Sequence, residues 1–73
     1  MFKTTNISKK IGANIKMHRI LQNRSRKWLG DKIGVSYHQI QNYETGRQKI
    51  SANNLFIISK YLKTAIQKFY SNL

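Results

Sequence analysis

With 73 residues, 14 Lys and Arg against two acids, and no cysteine, the chain has room for one small domain and no disulfide or thiolate metal site to brace it. The formal net charge of +12 points to a polyanionic partner, either nucleic acid or an anionic membrane surface. No apolar run reaches the roughly 18 residues of a membrane span and "MFKTTNISKK" lacks the apolar stretch of a signal peptide, so a cytoplasmic protein is expected.

The first six residues are expected to form a flexible arm ahead of a single domain over 7–73. Ser8 or Asn6 can cap a first helix, in which Ile7, Ile11 and Ile15 recur at spacing four and so share one face. Asn23 tolerates the left-handed conformation and can end it. The basic residues Lys3, Lys9, Lys10, Lys16, Arg19, Arg24, Arg26 and Lys27 all precede the first acid, Asp31. His18 has one other histidine and two acids as possible companions, so it is expected half-buried on this helix and not bound to a metal.

Ser25 can cap a short second helix with Leu29 and Ile33 facing inward and Gly34 at its left-handed end. Gly30 stands where two helices would approach closely, and a side chain larger than a methyl would push them apart. Ser36 can then cap a third helix from Tyr37 to about Thr45, with Ile40 and Tyr43 inward and Gly46 terminating it. After the loop "RQKI", Ser51 caps a fourth helix whose Leu55, Ile58 and Leu62 form a stripe. A fifth helix would bury Ile66 and Phe69. Alternation of period two is absent, so the fold is expected to be all-α: a compact five-helix bundle.

Two short helices joined through a glycine turn, the second opened by a serine, form a helix-turn-helix pattern over about 26–45. On these residues, and on "LGDKIGVSYHQIQNYETG" in particular, the segment from Ile11 to about Tyr70 resembles the Cro/cI-type helix-turn-helix family, also called the XRE family. The resemblance implies a lambda-repressor-like DNA-binding domain whose third helix enters the major groove of double-stranded DNA. Carried over by position, the base-reading candidates are Tyr37, His38 and Asn42, with Gln39 and Gln41 beside them. Amides of Asn and Gln pair with adenine N6 and N7, and an arginine fork for guanine is missing from this helix, so an A·T-leaning half-site is expected.

Phosphate contacts implied by the resemblance flank that helix: Arg26, where the family usually has Gln, then Lys27, the capping Ser36, the Tyr43 hydroxyl, Thr45, Arg47 and Lys49. Members of the phage-repressor type also hold an arginine of the first helix against a glutamate late in the third, here Arg19 and Glu44. The expected function is transcriptional regulation, as a repressor dimer on a palindromic operator, in a bacterial or phage-encoded protein associated with the nucleoid. An autoregulating antitoxin of a toxin–antitoxin pair is the alternative, and a membrane-active basic peptide a more distant one.

Ile57, Tyr61 and Tyr70 could form the dimer patch together with Phe69, for which the core is an equal place. Trp28 is either a partner contact or a lid over the core. Between helices four and five the family commonly has Gly followed by a capping Ser; here Lys63, Thr64 and Ala65 stand there, which would move or weaken the break. With no paired carboxylates, no Ser/His/Asp arrangement and no phosphate-cradling glycine loop, no enzyme activity, cofactor, metal or small-molecule ligand is expected.

Overall fold

The computed structural model describes residues 4–71. Among them the order is α1 (Thr4–Leu21), α2 (Arg26–Ile33), α3 (Tyr37–Thr45), α4 (Ala52–Tyr61) and a closing 3-10 helix (Ile66–Tyr70), with no strand. Three serines set the starts of the internal helices. The hydroxyl oxygens of Ser25, Ser36 and Ser51 accept from the backbone N–H of Trp28, Gln39 and Asn54 at 2.9, 3.1 and 3.0 Å, each satisfying a donor that the first turn leaves unpaired.

At the other end of α2, Gly34 has φ +79°, a conformation that costs any other side chain and that turns the chain sharply into α3. Asn23, with φ 56°, turns the chain after α1 in the same way.

Ile15, Leu29, Ile40, Tyr43, Leu55, Ile58, Leu62 and Phe69 form one core to which every element contributes. Trp28 is half-buried and packs against it, with its ring edge-on to Tyr61 and the Arg24 guanidinium 4.3 Å from its centroid. It is a lid on the core with one face still exposed to a cation. His18 is half-buried too, its ring edge-on to Phe69 at 5.5 Å.

Several expectations need correction. The first helix begins at Thr4, ahead of both proposed caps, Asn6 and Ser8, so residues 4–6 belong to a helix and not to an arm. The rest of that arm, residues 1–3, lies outside the described residues, as do the last two of the 7–73 domain. Among the described residues there are four α-helices, not five, because the last segment closes as a 3-10 helix. Its N-cap position is Ala65, which has no side-chain oxygen to accept a hydrogen bond, and 3-10 geometry suits so short a run.

The break before it stays at Lys63, which adopts φ 50° where the family commonly has Gly, while the Thr64 hydroxyl donates to the Leu62 carbonyl at 2.9 Å. Phe69 is fully buried and belongs to the core, not to a dimer patch.

Candidate nucleic-acid interface

What positions α3 is its contact with α1. A Cβ on Gly12 would sit 2.1 Å from the Tyr43 carbonyl oxygen and 2.7 Å from that of Glu44, so the two backbones touch where only hydrogen can stand between them. On the other side, Gly30 of α2 leaves room for the Val35 carbonyl, 2.5 Å from where its Cβ would be. α3 is thus fixed from both flanks by backbone approach, and its remaining face is free to carry polar side chains.

An ion-pair network then fixes its C-terminal half. The Glu44 side chain is fully buried and takes two charged bonds from Arg19, Nε to Oε2 at 2.6 Å and Nη2 to Oε1 at 3.1 Å. Arg19 Nη1 also donates to the Arg24 carbonyl at 2.7 Å, tying the α1–α2 turn to the same cluster. A second arginine joins from α2: Arg26 Nε donates to Glu44 Oε1 at 2.9 Å. One carboxylate therefore faces two guanidinium groups, and its charge is more than neutralised. A buried carboxylate left without such partners would be costly and would repel any anion nearby.

Tyr37, His38 and Gln41 are exposed on α3, while Gln39 and Asn42 are half-buried. The Tyr37 and His38 rings lie 4.1 Å apart, tilted by 31°, so the first turn presents a small aromatic plate. Of the proposed phosphate contacts, Lys27, Ser36, Thr45, Arg47 and Lys49 are exposed. Lys27 bonds Asp31 at 3.0 Å in an exposed pair of small energetic weight. The Thr45 hydroxyl donates back to the Gln41 carbonyl at 3.0 Å. Tyr43 is buried, and its hydroxyl accepts from Asn54 Nδ2 at 3.2 Å, so that oxygen has a partner within the fold.

Four participants were not found from sequence. Gly12 and the Arg26–Glu44 bond depend on segments far apart in the chain, and no local spacing signals them. Asn14 is buried and its Nδ2 donates to the carbonyls of Phe69 and Ser71 at 2.9 and 3.0 Å, anchoring the 3-10 helix to α1. An Asn between Ala13 and Ile15 on an otherwise apolar turn was the available signal. Lys9 lies on α1 beside the polar face of α3, one lysine among many in the sequence.

A bundle of short helices, with a capped two-helix unit presenting a polar helix amid Lys and Arg, defines the class of helix-turn-helix proteins. Comparison with known proteins agrees: a family model described as helix-turn-helix matches residues 15–69. The chain belongs to this helix-turn-helix family, of the XRE type.

An uncharacterized transcriptional regulator in the ATPase CF(0) region of Rhodospirillum rubrum is 40% identical over 63 residues, covering 86% of this chain and 58% of that protein. An uncharacterized HTH-type transcriptional regulator of Sinorhizobium fredii is 39% identical over 62 residues, covering 85% of this chain and 43% of the relative. The chain thus spans about half the length of these curated relatives. The crystal structure of the restriction-modification controller protein C.AhdI from Aeromonas hydrophila shares the fold, with TM-score 0.79 at 18% identity over 85% of this chain and 94% of that one. No described helix is long and apolar enough to cross a membrane.

Proposed function

We propose that this chain is a sequence-specific double-stranded DNA-binding domain that regulates transcription, as a repressor, with α3 in the major groove. The observation that carries this reading is the juxtaposition of a partly exposed, uncharged, hydrogen-bonding face on a closely packed α3 with a chain of net charge +12. Uncharged amides and rings supply directed donors and acceptors for base edges, while the surrounding cations supply affinity that does not depend on sequence. Tyr37, His38, Gln39, Gln41 and Asn42 are assigned to bases. Arg26, Lys27, Ser36, Tyr43, Thr45, Arg47 and Lys49 are assigned to phosphates, with the Tyr43 hydroxyl acting through its own proton.

The protein acts as a homodimer on a palindromic operator in the cytoplasm, at the nucleoid. Its dimer patch lies around Tyr61, Tyr70 and the half-buried Ile57; the two tyrosines are 43% and 44% exposed. Symmetry of the operator would follow from symmetry of the dimer.

Selection of bound duplexes from a random pool, followed by titration of the selected duplex at several salt concentrations, tests this reading. With about six phosphates neutralised, log K falls against log salt with a slope of roughly −5. Absence of an enriched sequence, or an affinity indifferent to salt, would overturn it. A circular dichroism spectrum without lipid separates it from a membrane-active peptide, which would be unfolded in buffer.

A further inference from the structure

Beside α3 runs a groove of about 490 Å³ lined by Lys9, His38, Gln41, Asn42, Thr45 and Arg47. Its walls come from three places: the N-terminal half of α1, the outward face of α3 and the segment after α3. A cation stands on α1 and another after α3, with amides, an imidazole and a hydroxyl between them. Neither acid of the chain lines it, and Glu44, the acid on α3, is buried under two arginines.

The position of Lys9 is set by packing. A Cβ on Gly46, where α3 ends, would lie 2.8 Å from Lys9 Cα and 2.6 Å from its Cγ, so the backbone of α1 at Lys9 rests directly on the end of α3. The base of the side chain is therefore held against the turn, and the residue remains exposed. Lys9 also lies outside residues 15–69, the stretch the family model matches.

The geometry points to Lys9 as a phosphate contact donated by α1, which with Arg47 seats one sugar-phosphate strand in this groove, alongside the base-reading residues. This deepens the DNA-binding reading and rests on it. A strand edge suits the groove because it is an elongated polyanion that a cation at each wall can hold, and because the DNA-binding reading assigns His38, Gln41 and Asn42, which line the same groove, to bases. α1 thus belongs to the DNA interface and is not only a support for α3.

The test compares the intact chain with Lys9→Gln, Lys9→Arg and Lys68→Gln, the last on the 3-10 helix that packs on α1 and α4. Each is titrated against the selected operator and an unrelated duplex across a salt series, with melting temperature as the check on folding. Lys9→Gln is expected to flatten the salt slope by about 0.9, which corresponds to roughly fivefold weaker binding near 0.15 M salt. The loss should be the same on both duplexes, because phosphates carry no sequence. Lys9→Arg should keep the slope, and Lys68→Gln should leave slope and affinity unchanged.

An unaltered slope for Lys9→Gln, or an equal loss for Lys68→Gln, overturns the assignment while the DNA-binding reading stands. If the intact chain shows no salt-dependent binding at all, both fall together.

Discussion

Arg26 Nε lies 2.9 Å from Glu44 Oε1, so the first residue of α2 is tied to the penultimate residue of α3 through a carboxylate that Arg19 already holds from α1. Three helices meet on one buried charge. Removing that charge leaves two guanidinium groups facing each other with nothing to hold them. Glu44→Ala is therefore expected to destabilise the domain by about 3–5 kcal/mol. Urea unfolding measures it, and an unchanged midpoint would remove the network from the account of stability.

The two arginines should not be equal. Arg19 is almost fully buried and makes three bonds, including one to the Arg24 carbonyl, whereas the Arg26 side chain is 32% exposed and contributes one. Loss of Arg19 leaves Glu44 with a single, partly solvated partner and frees the α1–α2 turn. Loss of Arg26 leaves the tighter pair intact. Arg19→Ala is expected to lower the melting temperature clearly more than Arg26→Ala, and the reverse order in a thermal melt would contradict the assigned weights.

What the residues alone revealed lies close together along the chain, and the pair found across 25 residues, Arg19 with Glu44, came through the family resemblance. Capping by Ser25, Ser36 and Ser51 is a contact three residues long, and the stripe of Leu55, Ile58 and Leu62 lies within one helix and its C-cap, so both are legible locally. The polar face of α3 is legible as a polar run bounded by glycines. By contrast, the approach of Gly12 to the Tyr43 carbonyl and the seat of Lys9 on Gly46 depend on how separate elements pack. Arg26 shows the limit plainly: its basic character was readable, but its partner stands 18 residues away.

Gly12 carries a second prediction of that kind. A methyl at this position would meet the Tyr43 carbonyl oxygen at 2.1 Å, and backbone cannot step aside as a flexible side chain can. Although Ala favours helices over Gly by nearly 1 kcal/mol, Gly12→Ala is expected to be net destabilising by about 1–3 kcal/mol, because α1 and α3 must separate. A thermal melt showing stabilisation would mean that the two helices do not approach so closely.

Asn14 tests the attachment of the C-terminal 3-10 helix. Its side chain is the donor to the buried Phe69 carbonyl, so Asn14→Ala strips an acceptor of its partner at an expected cost of about 1–3 kcal/mol. The loss should be concentrated at one end of the molecule. Amide hydrogen exchange is expected to accelerate most at 66–70, while α3 keeps its protection relative to global unfolding. Uniform acceleration across all helices would show that Asn14 supports the whole core and not this attachment.

The last prediction concerns which side chains choose the sequence and which only hold the DNA. Asn42 offers an amide that can pair with adenine N6 and N7 together, and α3 has no arginine to fork onto guanine, so the selected half-site should lean to A·T under this helix. Asn42→Ala should then lose about 1–3 kcal/mol of discrimination at one base pair while its binding to unrelated duplexes stays close to that of the intact chain. Arg47→Gln should do the opposite, weakening operator and unrelated duplexes alike and flattening the salt slope by about 0.9. The Tyr37–His38 plate, with rings 4.1 Å apart, gives an intermediate case: His38→Ala removes a hydrogen-bonding edge and half of an apolar surface suited to a thymine methyl. Competition titrations against single-base variants of the selected operator distinguish the three. A G-rich consensus under α3, or equal losses on operator and unrelated DNA for Asn42→Ala, would mean that α3 does not read bases through its amides.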